Sequence, residues 1–106
     1  MVSLGSIVLK VSSINRAADF WSNALGYVPN GNPAFLIPAN GEGARLHLDE
    51  DDRTHLDLWV DEGEEVQAEV ERLISLGAKR VDWVYPEGAD FVVLADTEGN
   101  LFCVIG

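Results

Sequence analysis

Two rhythms of apolar and polar positions run along this chain, and each appears twice. Residues 7–11 form a short apolar run broken only by Lys10, which predicts a strand. Ser12 and Ser13 follow, and a serine oxygen can accept from an unpaired first-turn amide, so a helix is expected to begin there. Ala17, Phe20, Trp21, Ala24 and Leu25 then fall at i, i+3, i+4, i+7 and i+8, predicting a helix over about 15–24. Gly26 supplies the left-handed stop. The turn-rich PNGNP segment, a strand near 34–37, a second turn at PANGEG and a strand over 44–49 complete the first half. An acidic loop over 49–53 separates it from the second.

After that loop the pattern restarts. Residues 54–60 read as a strand and 64–76 as a helix, with Val66, Val70, Leu73 and Ile74 on one face. Gly77 closes the helix, and strands are expected over 79–85, 91–95 and 101–105. The turn ADTEGN between the last two carries a hairpin signal, with Gly99 available for positive φ. Both halves therefore run strand, helix, Leu-Gly, shorter strands, with Leu25-Gly26 answered by Leu76-Gly77. Self-similarity at a period of about fifty residues indicates a duplicated supersecondary unit. The expected fold is α+β: two βαβββ modules forming a curved mixed sheet, with helices on the outer side and a cup-shaped cavity on the other. Residues 1–106 are read as one domain, with module one over about 1–50 and module two over about 54–106.

Charge narrows the range of partners. The 106 residues carry 18 Asp+Glu against 7 Lys+Arg, a net charge of −11. Nucleic-acid binding through phosphates needs clustered Lys and Arg, and anionic membrane surfaces attract the same residues, so neither partner is expected. The acids concentrate in the 49–53 loop and the DEGEEVQAEVE stretch, read as a solvated loop and helix face where they aid solubility. Cys103 is alone, which excludes an intrachain disulfide, and no CxxC zinc pattern occurs. The first apolar run is too short for a signal peptide, and no run approaches the ~18 apolar residues that span a bilayer. A cytoplasmic location is the default expectation.

Strand alternation nominates the chemistry. In the strand over 54–60, Leu56, Leu58 and Val60 share one face, which must meet a helix; His55, Asp57 and Trp59 share the other. The same reasoning sets Arg45, His47 and Asp49 opposite Leu46 and Leu48, and Ser6, Val8 and Lys10 opposite Ile7, Leu9 and Val11. On the last strand Cys103 opposes Phe102 and Val104. The candidate ligand-binding set is His55, Asp57, Trp59, Arg45, His47, Lys10 and Cys103. Each has a plainer reading beside it. The histidines can be ordinary polar residues of a half-solvated sheet, Trp59 a subunit contact, and Cys103 a small buried hydrophobe. Trp83 and Tyr85 occupy alternate positions of the expected sixth strand and could join a cup wall.

The segments ADFWSNALGY, THLDLWVDE, ISLGAKRV and ADTEGNLFCVIG resemble, in that order, the vicinal oxygen chelate superfamily. This superfamily includes glyoxalases, bleomycin-resistance proteins and extradiol dioxygenases, and the likeness is to its glyoxalase-like domain group. The resemblance implies the paired βαβββ fold, a homodimer, and a divalent-metal site drawn from the first, fifth and last strands. Those three positions fall on Ser6, His55 and Cys103. Imidazole and carboxylate suit such a site and a serine hydroxyl does not, so the family metal set is expected to be broken, with His55 its one good ligand. Asp57, two residues on, is expected to orient the His55 imidazole.

The function expected from these readings is binding of an apolar or aromatic small molecule in the cup, without a cofactor, as in sequestration of a toxin or antibiotic. The alternative is a metal-dependent lyase or isomerase acting on a small oxygenated substrate, with a displaced divalent site that uses His47, His55 and nearby carboxylates. No nucleophile elbow, phosphate loop or dinucleotide fingerprint is present.

Overall fold

A computed structural model describes residues 1–106, which form eight strands and two helices in the order β1(Val2–Lys10), α1(Ile14–Leu25), β2(Tyr27–Asn30), β3(Asn32–Pro38), β4(Arg45–Asp49), β5(His55–Val60), α2(Val66–Ser75), β6(Lys79–Arg80), β7(Phe91–Ala95), β8(Leu101–Ile105). The chain divides into two compact units, Gly5–Thr54 and Met1–Leu4 together with His55–Gly106. Both are α+β, and each carries the βαβββ order expected from the repeat.

In the Gly5–Thr54 unit the strand order is β2-β3-β4-β1. β1 and β4 pair in parallel, Val8 opposite His47, while β3 runs antiparallel to both β2 and β4. Helix α1 starts where the serines predicted. Ser13 is its N-cap, and the Ser13 hydroxyl accepts from the Arg16 amide at 3.2 Å. A second first-turn amide, that of Ile14, donates to the Glu50 carboxylate at 3.1 Å. Part of the acidic loop is therefore a helix cap. Gly26 ends α1 at φ 70°. Ala17 and Trp21 of the predicted stripe, together with Ala18, which the stripe did not include, pack with Ile7, Leu9, Val11, Leu36, Leu46 and Leu48. Phe20, Ala24 and Leu25, on the same predicted stripe, are instead exposed, and the Phe20 ring meets that of Trp21 edge-on at 5.0 Å.

The other unit has the order β5-β8-β7-β6. β5 and β8 are parallel, while β8–β7 and β7–β6 are antiparallel. Its core joins Val70, Leu94, Phe102 and Val104 with Leu58, Val60, Val66, Leu73 and Ile74, so α2 covers one face of these strands. The helix ends in a Schellman arrangement: the Gly77 amide donates to the Ile74 carbonyl at 3.0 Å and the Ala78 amide to that of Leu73 at 3.1 Å.

Four expectations require correction. The PNGNP segment was expected to be only a turn, but Pro29 and Asn30 belong to β2, an edge strand on which proline's missing donor is tolerated. The expected sixth strand over 79–85 is paired only at Lys79–Arg80. Beyond it the Tyr85 hydroxyl accepts from the Val93 amide at 2.8 Å, so a side chain takes a partner's place at that edge of β7. Trp83 and Tyr85 are thus not alternate residues of a strand. Finally, the second helix face is not wholly solvated. Glu69 is 4% exposed, with the Arg72 guanidinium at 3.0 Å and the Met1 ammonium at 2.7 Å. The Arg72 and Met1 hydrogen bonds hold its carboxyl below the usual value, against the opposing effect of burial.

Candidate functional site

Because Leu58 and Val60 turn toward α2, the alternation of β5 sends His55, Asp57 and Trp59 to the other face, as the pattern predicted, although Leu56, expected under the helix with Leu58 and Val60, is 42% exposed. The parallel register then adds a fourth residue. Asp57 stands opposite Cys103 on β8, and Cys103 stands opposite Val93 on β7, so these side chains share that face. The result is a compact group: one ligating atom each from His55, Asp57 and Cys103 lies within 4.8 Å of the other two. His55 Nε2 is 3.2 Å from Asp57 Oδ1, and both side chains are largely buried. Cys103 is half-buried rather than the fully buried small hydrophobe of the plain reading. Trp59 lies two residues beyond Asp57 and remains 37% exposed.

Arg45, His47 and Lys10 belong to the Gly5–Thr54 unit. His47 stacks on Phe35, ring centroids 4.5 Å apart at 24°, and its Nε2 lies 3.9 Å from Asp49 Oδ2. Its register is fixed on both sides, by Val8 on β1 and Phe35 on β3. Asp49 also accepts from the Asp51 and Asp52 amides at 2.8 and 2.9 Å, so it shapes the acidic turn. Arg45 and Lys10 are exposed at opposite ends of the β1–β4 pairing. The two His-x-Asp pairs therefore differ: the one on β5 is close and nearly dry, the one on β4 longer and wetter.

The metal set implied by the resemblance does not fit these residues. Its first-strand position is Ser6, a buried serine, and a neutral hydroxyl is a weak donor for a divalent ion. The DTEGN segment is turn chemistry, as its sequence suggested. Asp96 accepts from the amides of Glu98 and Asn100 and from the Asn100 side chain, which places the last strand without contributing a site residue. What local sequence could not show is the meeting of Cys103 with His55 and Asp57. It depends on the β5–β8 register, between residues more than forty positions apart.

Comparison with known proteins agrees with the architecture. Residues 6–105 match the family model of the glyoxalase-like domain. No curated protein matches the chain. A hypothetical protein from Bacillus halodurans superposes with a TM-score of 0.66 at 16% identity, over 98% of this chain and 93% of the other. Methylmalonyl-CoA epimerase from Mycobacterium tuberculosis superposes with a TM-score of 0.58 at 18% identity, over 96% and 85% respectively. At these identities the likeness establishes the fold alone. No helix is long and apolar enough to cross a membrane.

Proposed function

We propose that this chain, which belongs to the glyoxalase-like domain family, is a small-molecule binding protein that receives an apolar or aromatic ligand against Trp59 and anchors its polar end on His55 and Asp57. One observation carries the reading. A large aromatic side chain stands partly exposed on the strand face opposite the α2 core, in line with a nearly dry imidazole–carboxylate pair. Apolar surface beside a few convergent polar groups is the usual composition of a small-molecule site. Indole offers a broad face for stacking, and the His55–Asp57 pair offers directional hydrogen bonding. This reading does not draw on the family's own metal positions, because Ser6 is no substitute for an imidazole or carboxylate.

Tryptophan emission tests this directly. The protein is titrated, in the presence of a chelator, with a panel of aromatic metabolites and hydrophobic antibiotics. Saturable quenching or a blue shift in the wild type, lost in Trp59→Phe while Trp21 and Trp83 remain, supports the reading. A panel that leaves emission unchanged while the protein is folded removes it.

A further inference from the structure

We propose that His55, Asp57 and Cys103 form a binding site for one thiophilic divalent cation of the zinc class. This goes beyond the ligand-binding reading and does not rest on it. It keeps His55 and Cys103 from the metal set that the family resemblance implied and replaces that set's first-strand donor, Ser6, with Asp57. Here all three donors come from β5 and β8, within one compact unit, and Asp57 supplies the oxygen that Ser6 cannot.

Three features support the site. The ligating atoms of the three residues lie within 4.8 Å of one another before any ion draws them together. The His55–Asp57 separation of 3.2 Å is close to the roughly 3.3 Å that two such ligands keep around a tetrahedral zinc ion. The positions are also rigidly set, because neighbouring strands in register carry Asp57 and Cys103 and a two-residue step along β5 carries His55. A site built on paired strands holds its geometry better than one built on loops.

The donor set decides which ion fits. Nitrogen, carboxylate oxygen and thiolate sulfur suit zinc and its borderline neighbours. Magnesium and calcium require oxygen ligands and are disfavoured by the sulfur. This also separates the group from a cluster of carboxylates, which a solvated acidic surface produces readily. Three protein ligands leave one tetrahedral position open, as in zinc sites that receive an exogenous oxygen ligand. Binding requires the thiol to lose its proton to solvent, so the complex forms with proton release.

The test uses the full-length chain, stripped with chelator, and metal ions alone. Calorimetric titration with zinc is expected to show one ion per chain, with magnesium giving no heat of binding. Cobalt substitution is expected to produce a thiolate-to-metal charge-transfer band in the near ultraviolet, absent in Cys103→Ser. His55→Ala and Asp57→Asn are each expected to weaken zinc binding at least tenfold. Circular dichroism checks that the variants fold, and Cys103→Ala serves if the serine variant does not. Absence of stoichiometric zinc, absence of the band in the folded wild type, or zinc affinity unchanged in Cys103→Ser overturns the proposal. Since the emission titration is run under chelation, either reading can fail while the other stands.

Discussion

His55 and Asp57 face each other at 3.2 Å, Nε2 to Oδ1, with side chains only 10% and 17% exposed. Their counterparts in the other unit, His47 and Asp49, stand at 3.9 Å with 30% and 28% exposure. The same His-x-Asp spacing thus yields two different electrostatic objects, because solvent screens one pair and largely spares the other. Double-mutant cycles in urea under chelation, using alanine at each pair, should separate them. The His55–Asp57 coupling is expected at about 0.5–3 kcal/mol, as for contacting residues in one network. The His47–Asp49 coupling should fall within the range of about 0–1 kcal/mol typical of wet pairs. Equal couplings would show that burial is not what distinguishes the two.

The Leu-Gly pairs that close both helices make a second comparison. Gly26 and Gly77 both have positive φ, at 70° and 116°. A β-carbon on Gly26 meets nothing within 4 Å, whereas one on Gly77 meets Thr97 Cγ2 at 2.8 Å. Gly26→Ala should therefore cost only backbone strain, about 1–3 kcal/mol. Gly77→Ala should cost more, because it adds a steric clash to that strain. Adding Thr97→Ser, which removes the offending methyl, should recover part of the Gly77→Ala loss in denaturant melts and leave Gly26→Ala unaffected.

These contrasts mark what sequence patterning can and cannot reach. Alternation along β5 separated His55, Asp57 and Trp59 from Leu58 and Val60 with no other information, since a period of two is a local property. Helix α1 was legible for a similar reason, its cap and glycine stop being adjacent to the apolar stripe. Where the reading failed, distant partners decided the outcome. Trp83 to Tyr85 looked like strand, but at Val93 the edge of β7 is satisfied by a tyrosine hydroxyl. Glu69 looked solvated by composition, but an ammonium from Met1 and a guanidinium from Arg72 make its burial tolerable. Only the family resemblance joins Cys103 to His55, and it takes the strand register to bring Cys103 to Asp57.

Acid should weaken the β7–β8 hairpin. The Asn100 side chain, the Asn100 amide and the amides of Glu98 and Gly99 lower the Asp96 pKa, with burial acting in the opposite direction. A carboxyl whose folded pKa lies below its unfolded value contributes stability above the unfolded pKa, and loses it as pH falls through the folded one. The unfolded reference is about 3.9. Urea melts should therefore show Asp96→Ala clearly less stable than wild type at neutral pH. That difference should narrow progressively below about pH 4. A difference that stays constant down to strong acid would mean that the Asp96 charge does not hold the turn.

The two faces of the β5–β8–β7 strands should separate stability from binding. Leu94 is fully buried in the core under α2, so Leu94→Ala leaves a cavity and is expected to cost about 2–5 kcal/mol. Trp59 lies on the opposite face and keeps 37% of its surface, so its truncation removes less packing. Trp59→Ala is expected to cost less stability than Leu94→Ala. It should also weaken an aromatic ligand by at least about threefold to tenfold, since stacking contributes roughly 0.5–1.5 kcal/mol beyond area burial. Leu94→Ala, kept below its own unfolding transition, should bind that ligand with near-normal affinity. Calorimetric titration alongside denaturant melts measures both quantities on each variant. Binding lost in proportion to stability in both would mean that the Trp59 face is only another part of the core.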